Sequence, residues 1–341
     1  MCRIQNNDSY TRSVRVAMKT VVVITTGGTI AMKYDPVTDG LIPAVSGTDL
    51  LDAVPALQAI ANIEVAEFSN VPSGYITPAM MKQLAALVDQ IAARADVSGV
   101  VITHGTDTLE ETAYFLDLTL QTTKPVCVTG AMRGASDTSP DGPGNILAAV
   151  KTAVCNEAAG QGVLVVLNDE IHAALEVMKT HATSLNTFAS PVWGPIGHVY
   201  FDRVVLKRRS LKLQKIQPDQ LVDDVHLLKV VAGMDEFLFQ CLIQKQAKGI
   251  VVEALGCGNV PLGVKKGIEL ARKAGIPVVL ATRVYGGRVV PAYSYEGSAH
   301  SMVESGIVLA GELTGQKARL KLMLVLGMTS DTDTIRTYFD H

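Results

Sequence analysis

The sequence places small hydroxyl, acidic and lysine side chains directly after short apolar runs. In chain order these are Thr25, Thr26 and Thr29 after Val21–Ile24, Thr103, Thr106 and Asp107 after Gly99–Ile102, Thr129 after Pro125–Val128, and Lys179 downstream of Val163–Leu167. A hydroxyl becomes a nucleophile when a neighbouring base takes its proton. A lysine serves as that base only where burial keeps it neutral, and Asp107 can orient such a lysine or bind a substrate ammonium group. One chemistry open to this set is therefore nucleophilic catalysis by threonine.

The glycine-rich segment at 25–31 has two further interpretations. Backbone N–H groups of a glycine-rich turn can bind phosphate. The segment reads TTGGTIA, however, and it matches neither GxGxxG nor GxxxxGK[ST], so the nucleotide-binding fingerprint is missing. Two glycines after a strand also form plain tight turns. Because the chain contains no Gly-x-Ser-x-Gly segment, a serine-hydrolase triad is not supported.

Apolar runs without polar alternation predict strands that are buried on both faces, as in parallel sheets covered by helices. The runs of this kind are Val21–Ile24, Gly99–Ile102, Pro125–Val128, Val163–Leu167, Ile250–Leu255 and Pro277–Ala281. Apolar residues recur at helical spacing over 78–94, 111–120, 144–159, 262–274 and 315–327. Alternating strands and helices predict an α/β fold with doubly wound, largely parallel sheets. Ligands of such sheets bind at the carboxyl ends of the strands, which is where the candidate residues lie.

A chain of 341 residues suits two domains of moderate size. Residues 203–224 interrupt the strand–helix rhythm with a basic run followed by a proline and acidic residues, which predicts a linker. We therefore expect a larger N-terminal catalytic α/β domain over 19–202 and a smaller C-terminal α/β domain over 225–341. Residues 1–18 are predicted to form a disordered N-terminal extension, and both Met1 and Met18 are candidate start sites.

The chain is nearly neutral in charge: it has 30 Lys and Arg residues and 33 Asp and Glu residues, which gives a net charge of −3. Nucleic acids and anionic membranes require a clustered basic excess, so we expect neither as a partner. The five cysteines show no CxxC or Cys/His spacing, which argues against disulfides and a zinc site. The apolar runs are too short to span a membrane, and charges interrupt the N-terminus where a secretory signal needs an apolar segment. We expect a cytoplasmic protein.

Two long segments resemble the signature motifs of the bacterial-type L-asparaginase family. They are Thr26-Gly27-Gly28-Thr29-Ile30-Ala31 and THGTDTLEETA at residues 103–113. Shorter matches follow in order: Gly130-Ala131-Met132, DGPGN at 141–145, Asn168-Asp169, Lys179-Thr180, TFASP at 187–191 and GCGN at 256–259. The resemblance extends from about residue 19 to near the C-terminus. Two long motifs at the expected separation are stronger evidence than either one alone.

The resemblance implies an amidohydrolase that converts L-asparagine to L-aspartate and ammonia through a threonine acyl-enzyme. It implies that Thr29 is the nucleophile and that Thr106, Asp107 and Lys179 form a second catalytic group. The substrate-binding residues that it implies are Ser73 and Gly74 near the substrate's carboxylate, Gly28 and Gly105 for close backbone approach, Ala131 at the amide, and Asn259 lent by a neighbouring subunit. The expected partner is a small amino-acid amide, with no metal or organic cofactor. A shared active site also implies a homodimer or homotetramer.

Two departures from the family pattern concern substrate recognition. The family carries a tyrosine on a loop after the first motif; Leu41 stands about where it is expected, and Tyr34 comes earlier in the loop. Many members carry Gln, Glu, Ser or Thr after the binding serine, where this chain has Gly74 followed by Tyr75. Three functions stay open: an L-asparaginase, a related amidase for glutamine, a D-isomer or an N-substituted amide, and a non-catalytic amino-acid-binding protein. A nucleotide-binding enzyme is a more distant alternative.

Overall fold

The structure, a computed structural model, describes residues 2–3, 18–43, 53–211 and 214–340. It divides the chain into two compact units, residues 1–215 and 216–341. Each unit contains parallel strands covered by helices, which confirms the predicted α/β fold with a larger N-terminal and a smaller C-terminal part. Among the helices of the described ranges, none is both long and apolar enough to cross a membrane.

The first unit is built on a nine-stranded sheet. The strands of this unit are β1 (Cys2–Arg3), β2 (Thr20–Thr25), β3 (Met32–Asp35), β4 (Gly40–Pro43), β5 (Asn62–Glu67), β6 (Val97–Thr103), β7 (Val126–Thr129), β8 (Val163–Leu167), β9 (Glu170–Ala173), β10 (Met178–Lys179), β11 (Phe188–Ala189), β12 (Gly197–Val199) and β13 (Arg203–Leu206). The sheet order is β1-β13-β12-β9-β8-β7-β6-β2-β5. The five strands from β8 to β5 are parallel, and those from β8 to β1 pair antiparallel. Two antiparallel pairs, β3–β4 and β10–β11, lie outside this sheet.

Helices cover both faces of the parallel strands. They are α1 (Pro78–Ala92), α2 (Leu109–Thr119) and α3 (Gly142–Ala153). Val21 packs with Ile146 of α3 in one core cluster, whereas the adjacent Val22 packs with Leu84 of α1 in another. Because successive side chains of a strand point to opposite faces, both faces of β2 need apolar residues. This is the reason that the apolar runs do not alternate with polar residues.

The winding of the sheet reverses at β2. This strand lies between β5 and β6, and the chain passes from β2 to β5 on one side before it reaches β6 on the other. At such a switch point the loops leave the sheet in opposite directions, and a crevice opens at the carboxyl ends of the strands. Residues 26–29 and 104–108 leave β2 and β6 at this position.

The second unit has a smaller, fully parallel sheet in the order β14-β15-β16-β17. Its strands are β14 (Val225–Lys229), β15 (Gly249–Ala254), β16 (Val278–Thr282) and β17 (Val308–Leu309). Its helices are α4 (Phe237–Gln244), α5 (Leu262–Lys273), α6 (Ala299–Glu304), α7 (Gly315–Leu326) and α8 (Thr332–Phe339). Ile250 and Val252 of β15 pack with Phe239 and Ile268 in the core of this unit.

The division between the units falls inside the predicted linker at 203–224, but the first residues of that segment belong to the first sheet. Arg203–Leu206 forms β13, which pairs with β12 inside the first sheet, and the units divide after residue 215. In the basic run that follows β13, Arg208 forms an ion pair with Glu176 at 2.6 Å, so part of this run belongs to the first unit. At the other end, Cys2–Arg3 of the predicted N-terminal extension pairs with β13, and residues 4–17 lie outside the described residues.

Candidate active site

Gly27 and Gly28 allow the turn after β2 to run against other backbone segments. Their φ angles are positive, 101° and 85°. A Cβ on Gly27 would lie 2.5 Å from the backbone N of Val71, and one on Gly28 would lie 2.2 Å from the Cα of Gly105. Neither position has room for a side chain, so only glycine permits this approach. The turn after β2 therefore lies directly against the loop after β6.

Thr29 follows these glycines as the first residue of a single 3-10 turn, Thr29–Ala31. It is partly buried, and its hydroxyl forms no hydrogen bond with another described residue. The next residue, Ile30, is buried in the core beneath the turn. Thr29 is thus anchored through its neighbour while its own hydroxyl stays available to a ligand.

Ser73 joins the same crevice from a third segment, the 3-10 turn Ser73–Tyr75. Its hydroxyl accepts a hydrogen bond from the backbone N–H of Asp107 at 3.2 Å, and its carbonyl accepts one from the Thr108 hydroxyl at 2.7 Å. Ser73 is buried, and a Cβ on Gly105 would lie 2.8 Å from its Oγ. The predicted binding serine is therefore in direct contact with the second motif.

Lys179 connects two residues of the loop after β6. Its Nζ donates to Thr106 Oγ1 at 3.0 Å and forms an ion pair with Asp107 Oδ1 at 2.7 Å. The side chain of Lys179 is 16% exposed and Thr106 is buried, whereas the Asp107 side chain is 76% exposed. Thr106, Asp107 and Lys179 are thus brought together as predicted, and most of the Asp107 carboxylate is open to a second partner.

Ala131 lies in the turn after β7, and this turn meets the other two loops. A Cβ on Gly130 would lie 2.6 Å from the carbonyl O of His104 and 3.3 Å from the Cγ2 of Thr106. A Cβ on Gly142 would lie 3.0 Å from Ile30 Cγ1 and 3.5 Å from the Cβ of Ala131. Ala131 is therefore close both to Thr106 and to the turn that carries Thr29.

The hairpin β3–β4 follows Thr29 in the chain and contains the position of the expected tyrosine. Leu41 pairs directly with Tyr34 across the two strands, and the Leu41 side chain lies outside the described residues. Tyr34 is about half exposed, and its hydroxyl donates to Asp39 Oδ1 at 2.7 Å. This bond to a carboxylate raises the pKa of the phenol above its usual value. A neutral phenol therefore stands opposite the position where the tyrosine was expected.

Two predicted binding residues take no part in the contacts described above. Gly74 is exposed, and no atom lies within 4 Å of the position that its Cβ would take. Asn259 belongs to the second unit, where it forms an isolated antiparallel bridge with Leu255 in the loop after β15. The Asn259 Oδ1 is buried and has no hydrogen-bond partner among the described residues.

Sequence reasoning missed the roles of several residues that hold the site together. Glu110 is buried in the first turn of α2, and its Oε2 accepts a hydrogen bond from the backbone N–H of Lys179 at 2.9 Å. Asp141 and Asn145 hold the turn that contains Ala131. The motifs LEET and DGPGN contain these residues, but the sequence alone does not say which backbone groups they bind. The described residues contain no cluster of three or more His, Cys, Asp or Glu that could hold a metal ion.

His104 of the second motif is fully buried, with Nδ1 2.7 Å from the carbonyl O of Gly105 and Nε2 2.9 Å from the Thr112 hydroxyl. Burial lowers the pKa of His104 to about 4, below the ordinary value of 6.5. The unfolded chain therefore binds this proton more readily, and the free energy of unfolding should fall as the pH drops from 6.5 towards 4. For this residue the loss is at most about 3 kcal/mol.

Melting temperatures measured from pH 8 to pH 4.5 check this prediction when the wild type is compared with His104→Gln. The two curves should converge towards low pH, because the variant lacks the group that takes up the proton on unfolding. Parallel curves over this range would contradict the assignment of a neutral, buried imidazole.

The arrangement supplies the parts that a nucleophilic hydrolase needs. The Thr29 hydroxyl bonds to no other residue of the described ranges, backbone groups lie close by in glycine-rich turns, and a lysine–aspartate pair supports a second threonine hydroxyl. Backbone N–H groups in such turns can stabilise a developing oxyanion. The fold and these contacts together define a two-domain α/β protein whose first sheet gathers threonine, lysine and aspartate side chains at its switch point.

Comparison with known families gives the same assignment. The family model described as Asparaginase, N-terminal, matches residues 20–212, and the model described as Glutaminase/Asparaginase C-terminal domain matches residues 224–339. The chain belongs to the asparaginase family. Both models together cover most of the chain, and they separate near the division between the two structural units.

Individual relatives are similar over nearly their whole lengths. A probable L-asparaginase from Deinococcus radiodurans is 38% identical over 94% of this chain and 96% of its own length. L-asparaginase 2 from Bacillus subtilis is 36% identical over 98% of this chain and 90% of its own length. The crystal structure of a probable cytoplasmic L-asparaginase from Campylobacter jejuni superposes with a TM-score of 0.85 at 33% identity, covering 94% of this chain and 99% of that one.

Proposed function

We propose that this protein is an L-asparaginase that hydrolyses the side-chain amide of L-asparagine to L-aspartate and ammonia. The observation that carries the proposal is the Lys179–Thr106–Asp107 group, with Lys179 Nζ 3.0 Å from Thr106 Oγ1 and 2.7 Å from Asp107 Oδ1. Thr106 and Asp107 lie on the loop after β6, and Gly105 of this loop contacts the turn before Thr29. The family membership supports the same activity, since the relatives described above are named L-asparaginases.

In the first step the Thr29 Oγ attacks the carboxamide carbon, and the C–N bond then breaks to release ammonia. The proton of the Thr29 hydroxyl leaves with the ammonia, and an aspartyl ester of Thr29 stays behind. In the second step water attacks this ester and returns the hydroxyl proton to Thr29 as aspartate departs. Lys179 donates to Thr106, so the Thr106 hydroxyl proton is free to orient the attacking water.

The charges of a free amino acid match the groups around Thr29. The exposed part of the Asp107 carboxylate would bind the α-ammonium group, and the Ser73 hydroxyl would bind the α-carboxylate. Fixing both charges converts an encounter into an oriented complex, which contributes to the rate. In a homodimer or homotetramer, Asn259 would complete the site from a neighbouring subunit. Its Oδ1 is buried and has no hydrogen-bond partner among the residues described, which supports a polar role.

Ammonia release from a panel of amides tests this function. The panel contains L-asparagine, L-glutamine, D-asparagine and an N-substituted asparagine, and we expect the highest kcat/KM with L-asparagine. If no amide is hydrolysed while aspartate still raises the melting temperature, the protein is an amino-acid-binding protein instead. A thermal shift with NAD or ATP in place of aspartate would favour the nucleotide-binding alternative.

One observation favours a larger amide as the second candidate substrate. Gly74 follows the binding serine without a side chain, and the space beyond its Cα is open. The next residue, Tyr75, is 70% exposed. An N-substituted amide or a longer substrate would find room and an aromatic surface there. The same panel of amides distinguishes the two candidate substrates. If a substituted amide is hydrolysed faster than asparagine, hydrolysis of the substituted amide is the main activity.

The phenol of Tyr34 would replace the tyrosine that is absent at Leu41. Directly paired positions of an antiparallel ladder present their side chains on the same face, and Tyr34 pairs with position 41. The phenol oxygen would accept the Thr29 proton while the phenol proton moves to Asp39, which already accepts a hydrogen bond from it at 2.7 Å. The reverse transfer would then deliver a proton to the departing nitrogen, which leaves as neutral ammonia. In this way a carboxylate acts as the base for Thr29 through a neutral relay.

Tyr34→Phe should lower kcat with asparagine by about 100-fold, the size of a typical proton-transfer contribution. Adding Leu41→Tyr to this variant should restore part of the loss. Tyr200→Phe, which removes a comparably exposed phenol elsewhere in the first unit, serves as the matched control. Steady-state kinetics of the four proteins check the proposal, and full activity of Tyr34→Phe would remove Tyr34 from the mechanism.

For the cellular location we propose the cytoplasm. The Campylobacter jejuni relative is described as cytoplasmic, whereas a Haemophilus influenzae relative is described as periplasmic. Fractionation of the source cells, followed by an activity assay, distinguishes the two locations. Activity in the periplasmic fraction would overturn the proposal.

A further inference from the structure

The backbone of Ala131 is unusual because it is buried without a hydrogen bond to any residue that the structure describes. Ala131 is 1% exposed, and neither its N–H nor its C=O bonds to another described residue. Buried backbone groups almost always have partners, since leaving one unpaired costs roughly 1–3 kcal/mol. Such a pair of groups next to Thr106 is suited to a primary amide, which carries both a donor and an acceptor.

The peptide group before Ala131 is held by Asn145. The Nδ2 of Asn145 donates to the carbonyl O of Gly130 at 2.9 Å. The Asn145 side chain is itself fixed on both sides: its Nδ2 also donates to Asp141 Oδ2 at 3.1 Å, and its Oδ1 accepts from the backbone N–H of Asn168 at 2.9 Å. Asn145 is 5% exposed, so water competes little for these bonds.

The peptide group after Ala131 is held by Asp141. The carboxylate of Asp141 accepts from the backbone N–H of Met132 at 3.0 Å and from that of Arg133 at 2.9 Å. Hydrogen bonds from backbone N–H groups to an ionised carboxylate are about twice as strong as neutral ones. Asp141 immediately precedes α3 and Asn145 lies in its first turn, so one rigid helix carries both supports.

The direction of both Ala131 groups follows from the geometry of the peptide bond. In a trans peptide the C=O and the N–H point in opposite directions. Because Asn145 binds the Gly130 carbonyl, the Ala131 N–H must point away from Asn145. Because Asp141 binds the Met132 N–H, the Ala131 C=O must point away from Asp141. The two side chains therefore fix the orientation of the Ala131 N–H and C=O groups.

From these contacts we infer that Asp141 and Asn145 are positioning residues that aim the Ala131 backbone at the substrate amide. The inference rests on the proposed amidase function and deepens it. In the complex the Ala131 C=O accepts a hydrogen bond from the NH2 group of the substrate, which becomes the leaving ammonia. Neither Asp141 nor Asn145 touches the substrate, so their effect passes through the backbone that they hold.

A comparison of an amide with an ester tests this role. Aspartate β-methyl ester lacks the NH2 group that the Ala131 C=O would bind, whereas asparagine has it. Asp141→Ala should lower kcat for asparagine by about 100-fold, as expected for a misplaced reacting group. The loss for the ester should be about tenfold smaller, which corresponds to one hydrogen bond. Asp141→Asn keeps a carbonyl oxygen for the two N–H groups and should recover most of the activity.

Asp137→Ala is the matched control, because Asp137 accepts from the Gly134 N–H in the same loop but holds neither peptide group next to Ala131. Its amide-to-ester ratio should equal that of the wild type. Asn145→Ala applies the same test to the peptide group before Ala131. It replaces Asp141→Ala as the test variant if Asp141→Ala does not fold. Hydrolysis of both substrates by the wild type with an unchanged ratio in the variants would overturn the positioning role. Absence of hydrolysis in the wild type would instead overturn the proposed function.

Discussion

Thr29→Ala is expected to abolish the hydrolysis of asparagine while the fold and the binding of aspartate are retained. Removal of an essential nucleophile costs on the order of 10⁴-fold or more in kcat, because no second group can form the covalent intermediate. The Thr29 hydroxyl forms no hydrogen bond with another described residue, so its loss should change the melting temperature little. Kinetic assays and thermal shifts with aspartate measure the two effects separately.

The control for this variant is Thr123→Ala. Thr123 is an exposed threonine that precedes β7, at the end of the sheet opposite to the site, and its replacement should leave kcat unchanged. If Thr29→Ala retains more than about one hundredth of the wild-type kcat, the loss is too small for an essential nucleophile. Thr106 would then become the leading candidate.

Lys179→Met should lower kcat by about 10³-fold and change KM much less. Methionine keeps most of the length of the side chain but removes the charge that pairs with Asp107 at 2.7 Å and the donor to Thr106 at 3.0 Å. Thr106 would then lack the support that directs its hydroxyl proton towards the substrate or water, and one such group typically contributes 10²–10⁴-fold, here taken as about 10³. Because Asp107 would still bind the α-ammonium group, substrate affinity should persist.

Lys124→Met serves as the matched control, because Lys124 also donates to an oxygen, the Arg94 carbonyl, but lies in a loop before β7. Steady-state kinetics with asparagine should show wild-type kcat for this control. A large rise in KM at constant kcat for Lys179→Met would mean that Lys179 binds the substrate rather than assisting the reaction.

The parallel cores of both units were predictable because their strands are buried on both faces. Val163–Leu167 of β8 coincides with a predicted run, and the helical periodicity at 144–159 corresponds to α3. Such segments carry a strong signal since every position must be apolar. The position of the site followed from the same signal, because ligands of these sheets bind where the strands end.

Edge strands and one strand of the antiparallel part of the first sheet escaped prediction for a physical reason. β5 and β14 lie at the edges of their sheets, and β5 alternates exposed and partly buried residues in the sequence NIEVAE. β13 falls within the segment that was predicted as a linker, and it pairs antiparallel with a strand on each side. Such strands need only one apolar face, so charged residues such as Arg203 interrupt the pattern that reveals central strands.

The candidate site was predictable in its chemistry but not in its supports. Thr106, Asp107 and Lys179 belong to motifs that resemble a known family, and the structure brings them together. The supports from Glu110, Asp141 and Asn145 depend on which backbone groups lie nearby after folding. A sequence shows that an acidic or amide side chain is present, but it does not show the peptide groups that the side chain binds.

The most direct test of the central claim is to locate the covalent intermediate. Acid quenching during turnover, followed by mass spectrometry of the digested protein, should detect one aspartyl group on the peptide that contains Thr29. Thr29→Ala should lack this adduct, and Lys179→Met should form it more slowly. Ammonia release accompanied by an aspartyl group on another residue would contradict Thr29 as the nucleophile, and absence of ammonia release would contradict the amidohydrolase function itself.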